Sequence, residues 1–190
     1  MVATALAPAA VDVSAAQKAV RDLLTALGQP IDDDTEDTPR RVAAAFNEML
    51  TAPPFELTTF ANDEHYDELV VVRDIPVQSL CAHHLLPFIG VAHVAYLPAE
   101  RIVGLSKLAR AVGMWSRGLQ VQERLSSQIA GWLDERLRPR GVGVVIEAEH
   151  LCMTLRGVQA HGARTVTSTL RGQVRDDPST RAEFLGLARR

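Results

Sequence analysis

Cys81 and Cys152 are the only cysteines in the 190-residue chain, and each lies close to histidine. The two stretches are Ser79-Leu80-Cys81-Ala82-His83-His84 and Glu149-His150-Leu151-Cys152, which together hold three of the six histidines. Cys81 and His84 have C-x-x-H spacing, so one turn can deliver a thiolate and an imidazole to one ion, with Cys152 as a third ligand. Three protein ligands leave a tetrahedral zinc one position for water, the arrangement of a catalytic rather than a structural site. His83 and His150 then stand beside the metal as groups able to move protons. Two other readings of the same residues stay open: cysteines packed in the core as small apolar groups, and a Cys81–Cys152 disulfide.

The elements that must position these residues belong to a soluble globular chain. Nearly half the residues are apolar (47%), the mean hydropathy is close to zero, and 190 residues suffice for one domain with an appendage. A net charge of −3 argues against nucleic acid or an acidic membrane as the main partner. Residues 1–13 are expected to form a disordered tail, since the Ala-rich start has no basic residue before Lys18 and carries Asp12. No apolar run is long enough to cross a bilayer. The expected compartment is the cytoplasm, where thiols stay reduced and can bind metal. Of the 20 basic residues only Lys18 and Lys107 are lysines. A lysine kept among arginines points to a site that needs a compact ammonium.

Residues 14–66 read as a small helical region. Ser14 is expected to cap a first helix with Val20, Leu23, Leu24 and Leu27 on one face, ended by Gly28-Gln29-Pro30. Asp32 to Asp34 form a solvated acidic linker. Thr38-Pro39 opens a second helix with Val42, Phe46 and Met49 on its buried stripe, and Pro53-Pro54 stops it. Residues 67–190 read as an α+β catalytic domain. Strands are expected at Leu69 to Arg73 and Phe88 to Leu97, with the metal segment between them. Helices follow, one marked by Leu108, Val112 and Trp115 and one from Gln120 to Leu137. Val142 to Ala148 and Arg164 to Val174 read as two further strands, and Pro178 opens a terminal helix. The order β-β-α-α-β-β lacks the strict alternation of a parallel sheet, so an antiparallel sheet with both helices on one face is expected. Its edges would be protected if oligomerisation joined them into a barrel. Gly141-Val142-Gly143 precedes a strand and is no dinucleotide fingerprint.

Several motifs in this order resemble GTP cyclohydrolase I: Cys81-x-His83-His84, Gly104-Leu105-Ser106-Lys107, Gln120-Val121-Gln122-Glu123-Arg124-Leu125, His150-x-Cys152, Arg156-Gly157 and Thr165-x-Thr167-Ser168-Thr169. The resemblance runs from about Thr38 to near the C-terminus. It implies a T-fold, assembly into a homodecamer with active sites between subunits, and Zn2+ held by Cys81, His84 and Cys152. It further implies hydrolysis of GTP with release of formate to give 7,8-dihydroneopterin triphosphate, the first step of folate and pterin synthesis. Zinc lowers the pKa of its bound water to about 7 and so makes hydroxide available at neutral pH.

The resemblance also assigns roles. His150 protonates N7 of guanine, which makes C8 more electrophilic, and His83 carries a further proton transfer. Glu123 accepts from N1–H and the 2-amino group of guanine, an edge that adenine lacks, and Gln122 assists. Ser106, Lys107, Arg110 and Arg156 hold the triphosphate. Two positions depart from the family pattern: Ala82 stands where Glu is usual, and Ala44 where the second helix often carries a basic residue. These departures motivate an alternative, a T-fold homologue that binds a purine or pterin as a regulatory or carrier module without turnover. A third reading is an enzyme with structural zinc that acts on another purine.

Overall fold

The computed structural model describes residues 11–189. Residues 1–10 of the expected tail lie outside that range. The first helix, α1 (Val13–Ala26), starts one residue before Ser14, and its cap is Asp12, whose side chain accepts from the Ala15 N–H at 2.9 Å. Aspartate does here what the sequence reading gave to serine, because either short side chain can satisfy an orphan N–H of the first turn. α2 (Thr38–Leu50) begins with Pro39 in its first turn, as expected. The two helices pack on each other. Their apolar faces are only half covered, however: Leu23 and Leu27 are 57% and 63% exposed, and Val42, Phe46 and Met49 are half-buried.

A two-stranded sheet pairs β1 (Thr59–Ala61) with β4 (Arg101–Val103). The main sheet contains β2 (Val70–Cys81), β3 (Pro87–Leu97), β5 (Leu119–Gln120), β6 (Gly141–His150) and β7 (Thr165–Gly172), in the order β5-β2-β3-β6-β7. All neighbours are antiparallel except β5, which runs parallel to the end of β2. Helices α3 (Leu105–Ser116) and α4 (Gln122–Leu137) join the two halves of the sheet, so the expected β-β-α-α-β-β order is present. This is a T-fold.

Burial explains why both helices lie on one face. Alternate residues of the central strands, among them Val77, Phe88, Val94, Val144 and Ile146, form one core with Leu108, Val112 and Trp115 of α3 and Leu125, Ile129 and Leu133 of α4. The opposite face carries a smaller core. Ala95 and Val145 meet Val174 from the one-turn helix α6 (Gln173–Asp176) and Phe184 from the terminal helix α7 (Pro178–Ala188). Val174, expected in a strand, lies in α6, because β7 ends at Gly172 with φ +53°, a left-handed turn of the backbone that breaks the extended run. Gly143 makes room for α7: a Cβ there would meet the Phe184 ring at 2.6 to 2.9 Å.

β2 is much longer than the strand expected at Leu69 to Arg73. A bulge between Val72 and Ile75 puts Asp74 at φ +56° and interrupts the alternation that a sequence reading relies on. Pro76 follows within the strand. It is tolerated because β2 is an edge strand over most of its length, paired on that side only at Leu80 and Cys81.

Candidate metal centre

The extra length of β2 carries Cys81 to the end of the sheet, where the strand closes into a tight turn. Cys81 N–H donates to the Leu86 carbonyl at 2.9 Å, and the Cys81 carbonyl accepts from the Leu85 N–H at 2.9 Å. Leu85 has φ +56°, which reverses the chain within a few residues and leaves His83 and His84 exposed on the turn. β5 clamps this turn: the Gln120 carbonyl accepts from the Ala82 N–H at 2.9 Å. Gln120 is itself buried, donating to the Trp115 carbonyl and to Gln128 while accepting from Arg124 Nε at 3.1 Å. This clamp was not foreseen, since nothing in the spacing of Gln120 separates a structural amide from a surface one.

β6 delivers the other half. It ends at His150, and the next residues form the one-turn helix α5 (Leu151–Thr154), which turns Cys152 back toward Cys81. The two sulfurs are 3.9 Å apart. Both cysteines are free and buried, so the disulfide reading does not hold. Cys81 Sγ lies 3.7 Å from His84 Nδ1 and 4.0 Å from His83 Nδ1. The ligand atoms of Cys81, His84 and Cys152 lie within 4.8 Å of one another and form a group able to hold a metal ion. Burial and the neighbouring Cys81 push the Cys152 thiol up, while the Arg156 charge works against that rise.

His150 is fixed from two sides. Its ring stacks on Phe88 with centroids 4.7 Å apart, as expected for residues paired across β3 and β6. Its Nε2 is 2.7 Å from Oε1 of Gln122, at the start of α4. Burial holds the His150 pKa below its ordinary value, and the carboxylate of Glu123 opposes that shift. Glu123 is exposed in the first turn of α4, and its charge reaches His150. Gln122, expected to assist in reading the base, is 1% exposed, and its amide nitrogen is taken up by protein acceptors.

Ser106, Lys107 and Arg110 are carried by α3. Ser106 and Lys107 lie in its first turn and Arg110 midway along it, and its far end is close to the Cys81 turn: the Ser79 hydroxyl donates to the Ser116 carbonyl at 2.6 Å. At 1.5 Å per residue, the start of α3 lies roughly 15 Å from that end. Lys107 Nζ donates to the Glu56 carbonyl at 2.8 Å.

A T-fold whose sheet end carries a Cys-His-Cys group beside a wedged histidine defines a T-fold enzyme with a candidate metal centre. The GTP cyclohydrolase I family profile matches residues 16–189. The chain is 52% identical over 188 residues to GTP cyclohydrolase 1 of Thermobifida fusca (strain YX), covering 96% of this chain and 91% of that one. It is 51% identical over 185 residues to GTP cyclohydrolase 1 of Thermoanaerobacter pseudethanolicus, covering 93% of this chain and 97% of that one. Among solved structures, the archaeosine synthase QueF-Like in the apo form has a TM-score of 0.45 at 16% identity, over 55% of this chain and 93% of that one. The chain belongs to the GTP cyclohydrolase I family.

Proposed function

We propose that this protein is a zinc-dependent enzyme that converts GTP and water to 7,8-dihydroneopterin triphosphate and formate. The observation that carries this reading is the meeting of Cys81, His84 and Cys152 next to His150 and Glu123. Zinc fits the donors. With Zn–S near 2.3 Å and Zn–N near 2.0 Å, a tetrahedral ion needs S–S and S–N edges of about 3.8 and 3.5 Å. The chain offers 3.9 Å between the sulfurs and 3.7 Å from Cys81 to His84, with all three ligand atoms within 4.8 Å of one another. Zinc held there supplies a nucleophilic water at neutral pH.

The remaining work falls to side chains. Glu123 accepts from N1–H and the 2-amino group of guanine and fixes the ring. His150, held against Phe88, takes up a proton and delivers it to N7, and His83 on the exposed side of the turn exchanges a proton in a later step. Hydrolysis at C8 releases formate, after which the ribose opens, undergoes an Amadori rearrangement and closes onto the exposed amines. Arg156, close enough to act on Cys152, holds part of the triphosphate together with Ser106, Lys107 and Arg110.

Ser106 and Lys107, roughly 15 Å along α3 from its end beside the turn, fit a site shared between subunits. A homodecamer is the assembly proposed. Two features favour closure of sheets into a barrel: β7 is an edge strand along its whole length, and β2 is open along most of its own. Exposed Leu155 and Val158, 63% and 73% accessible just beyond Cys152, offer apolar surface for a neighbour. The proposed division places the helical region at 14–66 and the catalytic domain at 67–190, in the cytoplasm, with neither nucleic acid nor membrane as partner. Among the described residues no helix is long and apolar enough to cross a membrane. The non-catalytic alternative rests on Ala82 and Ala44, and neither position supplies a metal ligand or the proposed acid. Zinc-loaded protein given GTP is expected to release formate and to yield a fluorescent pterin on oxidation. Tight GTP binding without either product would overturn the reading in favour of a carrier.

A further inference from the structure

Gln122 is buried deeply enough that each polar atom of its amide must be accounted for. Its nitrogen lies 3.0 Å from the Ile146 carbonyl of β6, 3.0 Å from the Thr165 carbonyl of β7 and 3.2 Å from Thr167 Oγ1. A carbonyl can only accept, so the amide end facing two of them must be the NH2 group. The other end is then the carbonyl oxygen, also an acceptor only, and it lies 2.7 Å from His150 Nε2. Two acceptors at that distance would repel, so Nε2 must carry hydrogen. We infer that Gln122 is a positioning residue that fixes His150 as the Nε2–H tautomer, with Nδ1 as its acceptor nitrogen.

The arrangement has the logic of a catalytic histidine oriented by a third group, with a neutral amide in place of a carboxylate. The amide is itself oriented by two strands: β6 and β7 each supply one carbonyl, so the tautomer is set by the sheet and not by the metal turn. Stacking of the ring on Phe88 fixes its plane, and Gln122 fixes which edge carries the hydrogen. The role of Nδ1 in turnover rests on the proposed function, whereas the tautomer does not.

The test is solid-state 15N NMR of zinc-loaded, histidine-labelled protein, with the His150 signals identified by their loss in His150→Asn. The expected spectrum shows a protonated Nε2 and a bare Nδ1. In Gln122→Met, which keeps the bulk and removes the acceptor, both tautomers are expected, with kcat for GTP down about 10- to 100-fold and KM changed less than about 3-fold. Thr167→Val, which removes the third acceptor without changing the bulk and leaves both carbonyls, is expected to keep the wild-type tautomer. A wild-type His150 protonated at Nδ1 would overturn the inference, as would an unchanged tautomer in Gln122→Met. Should Gln122→Met fail to fold, the wild-type spectrum alone decides. The expected tautomer in a protein that releases no formate would refute the proposed reaction and leave the positioning role standing.

Discussion

Glu123 shows how little chemistry separates a surface charge from a specificity determinant. It sits exposed in the first turn of α4, yet its carboxylate acts on His150 at the end of β6. In the proposed complex both carboxylate oxygens accept from guanine. Glu123→Gln replaces one acceptor with a donor facing a donor, and leaving such a group unpaired costs about 1–3 kcal/mol. The variant is expected to lose about 10- to 100-fold in kcat/KM for GTP. Steady-state kinetics check this, and an unchanged value would remove Glu123 from base recognition. Cys152→Ser is a sharper change. Without the second sulfur the zinc content of the purified protein should fall well below one ion per chain, which elemental analysis reads directly.

Among the elements, α7 and its contacts are open to test by stability. Phe184 is fully buried against Gly143, where no side chain fits. Gly143→Ala forces the ring or the helix to shift and is expected to destabilise the protein by about 1–3 kcal/mol, and Phe184→Ala by about 3–5 kcal/mol, both measured by denaturant unfolding. α7 is also capped by Asp177, whose pKa is held down to about 2 by hydrogen bonds from Ser179 and Thr180. A carboxylate with a folded pKa below its unfolded value of 3.8 stabilises the fold above that value. Its contribution is lost as pH falls from about 4 through about 2. Wild type should therefore lose more stability across that window than Asp177→Asn, and equal losses would show that the cap does not titrate with folding.

The same elements show what a sequence reading can and cannot reach. The β-β-α-α-β-β order and the helix opened by Pro178 were legible because they rest on periodicity and proline, which act locally. The full length of β2 was not: the bulge at Asp74 and the proline at position 76 mimic a strand end, and only pairing with β3 keeps the chain extended to Cys81. The Cys-His-Cys group was legible because cysteine is scarce here. The task of Gln122 was not, since it depends on carbonyls of two strands that come together only in the folded sheet.

At the scale of the whole molecule, one chain holds the Cys-His-Cys group at one end of the sheet, while the residues leading into α3 meet Tyr96 at the other. A shared site requires assembly, so light scattering should give a particle near ten times the 20.7 kDa chain mass. A monomer that turns over GTP would contradict it. The most direct measurement removes the metal from the assembled protein, restores zinc in fractional steps, and follows formate release from GTP on the same samples. Formate release should be absent without metal and rise in proportion to zinc bound, up to one ion per chain. Release that is undiminished in metal-free protein, or absent when every site is filled, would contradict the account.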